Sequence, residues 1–207
     1  MSSVIFDLDG TLVDSLDDIA AALNHVLGER GMPTHERATV ERLVGHGMRS
    51  LVERAVPEDA DVDAILAAYG ARYEAHLTDH TRVFDGVREL LDALEARDVP
   101  MAVLSNKPHA MTRRVVDELF GLERFVEVLG QRDEVPKKPD PAAALELAPR
   151  LVAPIFFIGD TPVDVQTARA AGQRPIGVAW GMRAPELLIE AGAEVVLDDP
   201  LALLPLL

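Results

Sequence analysis

Short apolar runs rich in Val, Ile and Phe alternate along this chain with amphipathic segments of helical period. Such alternation is typical of parallel strands buried between helices, because a strand covered on both faces carries apolar side chains on both. A shorter run covers residues 126–129, and the clearest runs are residues 4–6, 101–104, 155–158, 176–179 and 195–197. The sequence therefore predicts an α/β fold with a parallel sheet between helices.

The stretch from residue 15 to residue 81 breaks this alternation, because it contains helical patterns and no convincing strand. Helical period is clear over 16–30 and 61–76. Since the stretch separates the first strand from all the others, we expect a helical domain inserted into the α/β unit. The expected organisation is a Rossmann-like core of residues 1–14 and 82–207, with an all-helical cap domain at 15–81 joined to the core by two hinges.

The overall charge of −15 excludes a general nucleic-acid binder, because such proteins need clustered Lys and Arg. The same charge repels a small anionic ligand, so local positive charge or a metal must overcome it.

Cysteine is absent, which excludes disulfides. The first residues resemble no secretion signal, and no apolar run approaches the roughly 18 residues of a membrane span. We therefore expect a cytoplasmic protein without nucleic-acid or membrane partners, either a monomer or a homodimer.

Four polar clusters lie at or near the ends of the predicted strands. The first is Asp-Leu-Asp-Gly-Thr at residues 7–11, directly after the run 4–6. Residues i and i+2 of an extended chain project to the same side, so Asp7 and Asp9 can face one site. Paired carboxylates are useful where one binds metal and attacks while the other exchanges a proton. Taken alone, these residues also fit an ordinary acidic turn after a strand.

The second and third clusters supply hydroxyl, amide and ammonium groups. Ser105, Asn106 and Lys107 follow the run 101–104, where a hydroxyl and backbone amides can hold phosphoryl oxygens. Residues 137–141, Lys-Lys-Pro-Asp-Pro, bring two lysines to the start of a predicted helix, whose dipole favours an anion. Each cluster has a structural alternative: a helix cap for the second, and a solvated loop with helix-starting prolines for the third.

The fourth cluster contains two further carboxylates. Asp160 follows the run 155–158, and Asp164 lies four residues on, so both can point toward the same place. Helix capping explains Asp160 almost as well when it is considered singly. Together the four clusters indicate one ligand site, because open α/β folds bind ligands at the carboxyl edge of the sheet. Asp7, Asp9 and Asp160 offer hard oxygen ligands without a nearby His or Cys, which favours Mg²⁺.

These clusters resemble the four motifs of the haloacid dehalogenase superfamily of phosphohydrolases. The resemblance runs in the expected order across almost the whole chain, through residues 7–11, 105–106, 138–139 and 159–164. The helical stretch resembles the small helical cap of that superfamily. Residues 43–55 are similar to a cap segment of phosphoglycolate phosphatases, with His46 where that pattern has a small polar residue.

The resemblance implies a role for each matching residue. Asp7 is expected as the nucleophile, and Asp9 as the acid that protonates the departing oxygen and then as the base that activates water. The implied ligands of Mg²⁺ are the Asp7 carboxylate, the Asp9 backbone carbonyl and Asp160. Asp164 is expected to orient a lysine or a metal-bound water, and the implied substrate-binding set is Thr11, Ser105, Asn106 and Lys138.

Specificity is expected to come from the cap, since the four motifs recognise only phosphate and metal. Gly47 and Arg49 are the cap candidates for substrate binding, and Arg49 suits a carboxylate through a bidentate contact. Arg49 also fits a solvated helix residue.

The predicted function is Mg²⁺-dependent hydrolysis of a small phosphate monoester through a phospho-aspartate intermediate, with 2-phosphoglycolate as the leading substrate. A sugar phosphate, pyrophosphate or a nucleotide is an alternative substrate. Two other classes stay open: a β-phosphoglucomutase-like isomerase, which uses the same motifs, and a non-catalytic binding protein on the same fold.

Overall fold

The structure, a computed structural model, describes residues 2–207. The strands are β1 (Ser3–Phe6), β2 (Val13–Asp14), β3 (Arg82–Val83), β4 (Met101–Pro108), β5 (Glu127–Gln131), β6 (Ile155–Gly159), β7 (Arg174–Val178) and β8 (Val195–Leu197). The α-helices are α1 (Leu16–Glu29), α2 (Arg37–Leu43), α3 (Met48–Ala55), α4 (Val62–Ala75), α5 (Val87–Glu95), α6 (His109–Phe120), α7 (Ala142–Leu147), α8 (Pro162–Ala170) and α9 (Pro185–Ala191). None of the helices in this described part is both long enough and apolar enough to cross a membrane.

The main sheet has six strands in the order β5-β4-β1-β6-β7-β8, and every neighbouring pair is parallel. This confirms the predicted α/β fold, and the short sixth run of the sequence is the edge strand β5. β1 lies between β4 and β6, so the three strands that precede the first, second and fourth polar clusters are neighbours. Because these strands are parallel, their carboxyl ends meet at one edge of the sheet.

Alternate side chains of β1 enter two separate apolar clusters. Val4 and Phe6 belong to the cluster that includes buried residues of α5 and α6, whereas Ile5 belongs to the cluster with buried residues of α7 and α8. Successive side chains of a strand point to opposite faces, so the sheet is covered by helices on both. This double burial explains why its strands are continuous apolar runs in the sequence.

Residues 15–81, called the helical segment below, contain the four helices α1 to α4. α1 packs against α2 and α4, and α3 packs against the same two helices. Their contacts bury large apolar side chains, including Leu23, Ile65 and Tyr69. The division of the chain into a core of 1–14 and 82–207 and a cap domain at 15–81 stays a prediction.

A short antiparallel ladder closes the two ends of the helical segment. β2 pairs with β3 through Val13 opposite Val83 and Asp14 opposite Arg82. Beside this ladder the buried Asp18 of α1 accepts hydrogen bonds from the backbone N–H of Thr81 at 2.7 Å and from its hydroxyl at 2.7 Å. The two connections to the helical segment are thus fixed side by side.

Candidate active site

Three buried carboxylates converge at the carboxyl edge of the sheet. Asp7 directly follows β1, Asp160 directly follows β6, and Asp164 lies in the first turn of α8. One carboxylate oxygen from each residue lies within 4.8 Å of those from the other two. Asp7 and Asp160, which the sequence assigned to one cation, are therefore close enough to share it.

The backbone around Asp160 leaves no room for larger neighbours. Gly10 has a φ of +89°, and a Cβ added there would lie 2.2 Å from Asp160 Oδ2. A Cβ on Gly181 would lie 2.2 Å from Asp160 Cβ. Asp160 is further fixed by the backbone N–H of Met182, which donates to Oδ2 at 2.8 Å, and by Thr11 Oγ1, which donates to Oδ1 at 3.4 Å. The predicted residue Thr11 thus supports Asp160.

Lys138 places a buried ammonium group between two of the carboxylates. Its Nζ lies 2.6 Å from Asp164 Oδ1 and 2.9 Å from Asp7 Oδ1, and it donates to the carbonyl of Leu104 at 3.0 Å. Burial lowers the pKa of Lys138, but the charges of Asp164 and Asp7 outweigh burial, so the pKa is raised above its usual value. The ammonium therefore stays charged at neutral pH.

Asp164 also caps the start of α8. Its Oδ2 accepts hydrogen bonds from the backbone N–H of Thr161 at 3.1 Å and from the Thr161 hydroxyl at 2.6 Å, which forms a capping box. Both oxygens of Asp164 are thus engaged, one by Lys138 and one by the helix start. This arrangement suits the predicted role of Asp164 in orienting the lysine.

Burial and mutual repulsion disfavour the ionised form of two of these carboxyls. Burial raises the pKa of Asp7 from 3.8 to about 7, and the charge of Lys138 only partly opposes this shift. Burial also raises the pKa of Asp160 well above its usual range, and the charges of Asp164 and Asp7 raise it further. The site therefore carries more negative charge than Lys138 alone can balance.

The chemistry of the donor set fits a magnesium ion. Asp7, Asp160 and Asp164 supply hard oxygen atoms, and the group of potential ligands contains no His and no Cys. Asp7 Oδ1 is buried and accepts no hydrogen bond of good geometry from the residues described, although Lys138 is its ion-pair neighbour. A buried oxygen without a hydrogen bond is costly unless a ligand compensates it.

Asp9 is not part of the three-carboxylate cluster. Its Oδ1 accepts hydrogen bonds from Ser15 Oγ at 2.5 Å and from Lys107 Nζ at 2.5 Å. Asp9 and Asp7 line the same cavity, so both carboxylates predicted to react face a common space.

Asn106 connects two of the sequence clusters to each other and to the helical segment. Its Oδ1 accepts from the backbone N–H of Lys138 at 2.9 Å, and its Nδ2 donates to the carbonyls of Lys138 at 3.0 Å and Gly45 at 3.1 Å. Ser105 is buried beside it and also lines the cavity. Asn106 therefore fixes the backbone that carries Lys138.

The cavity lies between the edge of the sheet and the helical segment, and its volume is about 550 Å³ including its mouth. The side chains of its polar wall are Asp7, Asp9, Ser105, Asn106, Lys107, Lys138 and Thr161. Its apolar wall comes mainly from the helical segment: Ile19, Met48, Leu51, Tyr69 and Tyr73. Such a space suits a small ligand with a charged end.

Gly47 lines this cavity, but Arg49 does not. The Arg49 side chain is 54% exposed and pairs with Asp63 at 2.5 Å and with Glu53 at 3.6 Å. The structure therefore does not bring Arg49 together with the other predicted site residues, because its side chain on α3 is directed toward these acidic neighbours.

Lys107 is a cationic cavity residue whose side chain the sequence analysis assigned no role. It is buried, and the helical segment covers it with the Tyr73 ring, whose centroid lies 5.0 Å from Lys107 Nζ. The signal in the sequence was its place in the second polar cluster. Ser105, Asn106 and Lys107 all line the cavity, in the last part of β4, where the pairing with β5 is irregular.

Three side chains from outside the helical segment bind backbone carbonyls of its residues 41–46. Besides the bond from Asn106, Lys137 Nζ donates to the carbonyl of His46 at 2.7 Å. The Arg183 guanidinium donates to the carbonyls of Val44 at 2.6 Å and Glu41 at 2.8 Å. These contacts hold residues 41–46 over the cavity.

The comparisons with known proteins agree with the motifs. The sequence model of the haloacid dehalogenase-like hydrolase family matches residues 4–178. A phosphoglycolate phosphatase of Pseudomonas syringae pv. tomato is 38% identical, with 98% of this chain and 78% of the relative covered. A phosphoglycolate phosphatase of Rhodospirillum rubrum is 36% identical, with 95% and 87% covered.

A solved structure shows the same architecture over almost the whole chain. The crystal structure of a putative phosphoglycolate phosphatase from Lactobacillus delbrueckii subsp. bulgaricus superposes with a TM-score of 0.90 at 28% identity, with 98% of this chain and 97% of that chain covered. The resemblance found in the four motifs is thus confirmed, and this chain belongs to the haloacid dehalogenase-like hydrolase family.

Proposed function

We propose that the protein is a Mg²⁺-dependent phosphoric monoester hydrolase whose preferred substrate is 2-phosphoglycolate. The observation that carries this proposal is the position of Asp7, buried at the cavity wall beside Lys138 and within reach of the cation that Asp160 would share. The relatives named phosphoglycolate phosphatase, which match nearly the full length of this chain, support the choice of substrate.

Asp7, Asp160 and the backbone carbonyl of Asp9 are the proposed ligands of Mg²⁺. When bound, the ion supplies positive charge that offsets the buried carboxylates and the phosphoryl oxygens. This charge and that of Lys138 would offset the repulsion between an anionic substrate and a chain of net charge −15.

In the first proposed step, a carboxylate oxygen of Asp7 attacks phosphorus while the bond to the ester oxygen breaks. Asp9 gives its proton to the departing oxygen, so the leaving group is an alcohol and Asp7 carries the phosphoryl group. Lys138 and Ser105 are proposed to bind the phosphoryl oxygens during this transfer. Lys138 donates to Asp164 through its ammonium, and Asn106 binds the Lys138 backbone N–H and carbonyl. These bonds support that role because they fix both the side chain and the backbone that carries it.

In the second proposed step, the ionised Asp9 takes a proton from a water molecule and the water oxygen attacks phosphorus. The bond between phosphorus and the Asp7 oxygen breaks, which releases inorganic phosphate and restores the Asp7 carboxylate. Asp9 leaves this step protonated and ready for the next cycle. Two displacements by weak nucleophiles held in place thus replace one direct attack by water.

The helical segment is proposed to act as the cap that closes this site. The hydrogen bonds from Asn106, Lys137 and Arg183 to its backbone support the proposal, as does its apolar contribution to the cavity wall. Closure of such a cap would exclude bulk water from the reacting groups. A cytoplasmic location and a monomeric or homodimeric state stay predictions from the sequence.

A hydrolysis panel tests the proposal. Purified protein is assayed for phosphate release from 2-phosphoglycolate, sugar phosphates, pyrophosphate and nucleotides, with Mg²⁺ and with a chelator. We expect Mg²⁺-dependent release with the highest kcat/KM for 2-phosphoglycolate, and none in Asp7→Asn. Absence of release from every ester would overturn the proposal, and conversion of β-glucose 1-phosphate to glucose 6-phosphate would identify an isomerase instead.

A further inference from the structure

Lys107 presents a buried ammonium group in the wall of the cavity, on the side covered by the helical segment. Its side chain is 3% exposed. Its Nζ donates to Asp9 Oδ1 at 2.5 Å and lies 5.0 Å from the centroid of the Tyr73 ring. An ammonium has three N–H groups, and Asp9 is its one hydrogen-bond acceptor among residues 2–207. Donor capacity is therefore left for a ligand.

Lys107 and Lys138 are the two cationic side chains that line the cavity within the described chain. Lys138 contacts Asp164, Asp7 and the carbonyl of Leu104, and the proposed function assigns it to the phosphoryl oxygens. Lys107 is the cation that remains for a second negative group on the substrate. Arg49 is not among the residues that line the cavity, and its exposed side chain pairs with Asp63.

Asp9 does not depend on Lys107 alone. Ser15 Oγ donates to the same Oδ1 of Asp9 at 2.5 Å, so this oxygen keeps a donor when Lys107 turns toward a ligand. The hydroxyl and the ammonium thus share one acceptor, and Lys107 can exchange it for a carboxylate without leaving Asp9 unbonded.

The position of Lys107 also suits a short substrate. Asp9 is proposed to contact the ester oxygen, and Lys107 lies immediately beyond Asp9, toward the apolar wall formed by Tyr69 and Tyr73. Because Lys107 and Asp9 are hydrogen-bonded to each other, we expect a carboxylate one methylene away from an ester oxygen at Asp9 to lie near the ammonium. The aromatic surroundings strengthen an ion pair there, because they exclude water and lower the local dielectric constant.

We propose that Lys107 binds the carboxylate of the substrate and gives the enzyme its preference for phosphate esters of short hydroxy acids. This inference rests on the proposed function and adds to it a specificity residue in the core, whereas the sequence placed specificity in the cap. The recognised group is an anionic carboxylate near the ester oxygen. An ester of the same length that lacks this charge binds without the contact.

The test compares 2-phosphoglycolate with ethyl phosphate, which has the same two-carbon chain and no carboxylate. For each variant the measured quantity is the ratio of kcat/KM for the two esters. Lys107→Met keeps the length of the side chain and removes its charge, and we expect the ratio to fall by at least about 10-fold, the value of a hydrogen bond to a charged group. A disturbance transmitted through Asp9 slows both esters alike and cancels in the ratio.

Two further variants keep the result decisive. Lys107→Arg retains a cation and should keep a higher ratio than Lys107→Met, and it serves as the test if the methionine variant does not fold. Arg49→Met is the matched control, and its ratio should equal that of the wild type. An unchanged ratio in Lys107→Met, or a fall in Arg49→Met alone, would overturn the proposal.

The wild-type measurement separates this inference from the function on which it rests. Hydrolysis of both esters with equal kcat/KM overturns the role of Lys107 and leaves the phosphatase intact. Hydrolysis of neither ester overturns the proposed function, and the inference fails with it.

Discussion

Lys138 Nζ lies 2.6 Å from Asp164 Oδ1, and the other oxygen of the same carboxylate closes the capping box of α8 through Thr161. One buried side chain thus links the start of a helix to the position of the site's central cation. Because both groups are at most 3% exposed, the pair is shielded from solvent screening.

Asp164→Asn should lower both activity and stability. The neutral amide keeps an oxygen for one partner but loses the charge that orients Lys138, so we expect kcat/KM to fall about 10- to 100-fold, as for other groups that support a metal site. Weakening of the cap should cost about 1 kcal/mol of unfolding free energy. Steady-state kinetics and denaturant titration measure the two effects. The exposed Asp198→Asn is the control, and equal activity of the two variants would contradict the assigned role.

Gly181→Ala should weaken metal binding. The new Cβ would lie 2.2 Å from Asp160 Cβ and 2.4 Å from the carbonyl oxygen of Gly10, so Asp160 must move. We expect the Mg²⁺ concentration for half-maximal activity to rise at least about 10-fold, and the Mg²⁺-induced rise in Tm to shrink.

Gly28→Ala is the matched control for that change. Nothing lies within 4 Å of a Cβ at Gly28, which is inside α1, so this variant should be as active as the wild type and more stable by about 0.5–1 kcal/mol. If both alanine variants respond to Mg²⁺ as the wild type does, the close packing around Asp160 does not control the metal site.

Arg183→Met should loosen the helical segment. The guanidinium donates to the carbonyls of Val44 and Glu41, and its loss leaves both without this partner. We expect KM to rise about 3- to 10-fold and limited proteolysis within residues 41–47 to become faster. Arg150→Met is the control. It removes a 59% exposed arginine that pairs with Glu127, outside the helical segment, and it should change neither KM nor the rate of proteolysis. If proteolysis of Arg183→Met is no faster than that of the wild type, the Arg183 contact does not hold residues 41–47 in place.

The raised pKa of Asp7 predicts a pH-dependent stability of the metal-free protein. The pKa is 3.8 for the ordinary group and about 7 in the folded chain, so the folded state binds more protons than the unfolded state between these values. The stabilising contribution is fully present below about pH 4 and is lost as pH rises through about 7.

The measurement for this prediction is Tm as a function of pH in the presence of a chelator. The Tm of Asp7→Asn minus that of the wild type should grow from pH 4 to pH 7 and then level off, because the variant has no group to ionise. Added Mg²⁺ should stabilise the wild type most above pH 7. A Tm difference that does not change with pH would show that Asp7 ionises normally.

The sheet followed from the sequence because buried parallel strands have a simple signature. Each of the predicted apolar runs is a strand of the main sheet, and even the short run 126–129 corresponds to β5. The ladder of β2 and β3 was not predicted, since two residues per strand are too few to show any period. Its position nevertheless coincides with the expected connections of the helical stretch.

The site was predictable where backbone position decides it and unpredictable where side-chain direction does. Asp7 and Asp160 follow central parallel strands, so topology alone brings them together. The direction of Arg49 depends on Asp63, a partner from another helix that no local pattern reveals. Lys107 was not assigned a role because the predicted strand ended at residue 104, whereas β4 continues to Pro108 and directs Lys107 into the cavity.

The most direct test of the account is a rapid acid quench during turnover of 2-phosphoglycolate that carries a radiolabelled phosphate. We predict that the label is covalently attached to the protein at early times, in the peptide that contains Asp7, and that Asp7→Asn carries none. Sustained release of phosphate with no label on the wild-type protein at any quench time, or with the label on another residue, would contradict Asp7 as the nucleophile.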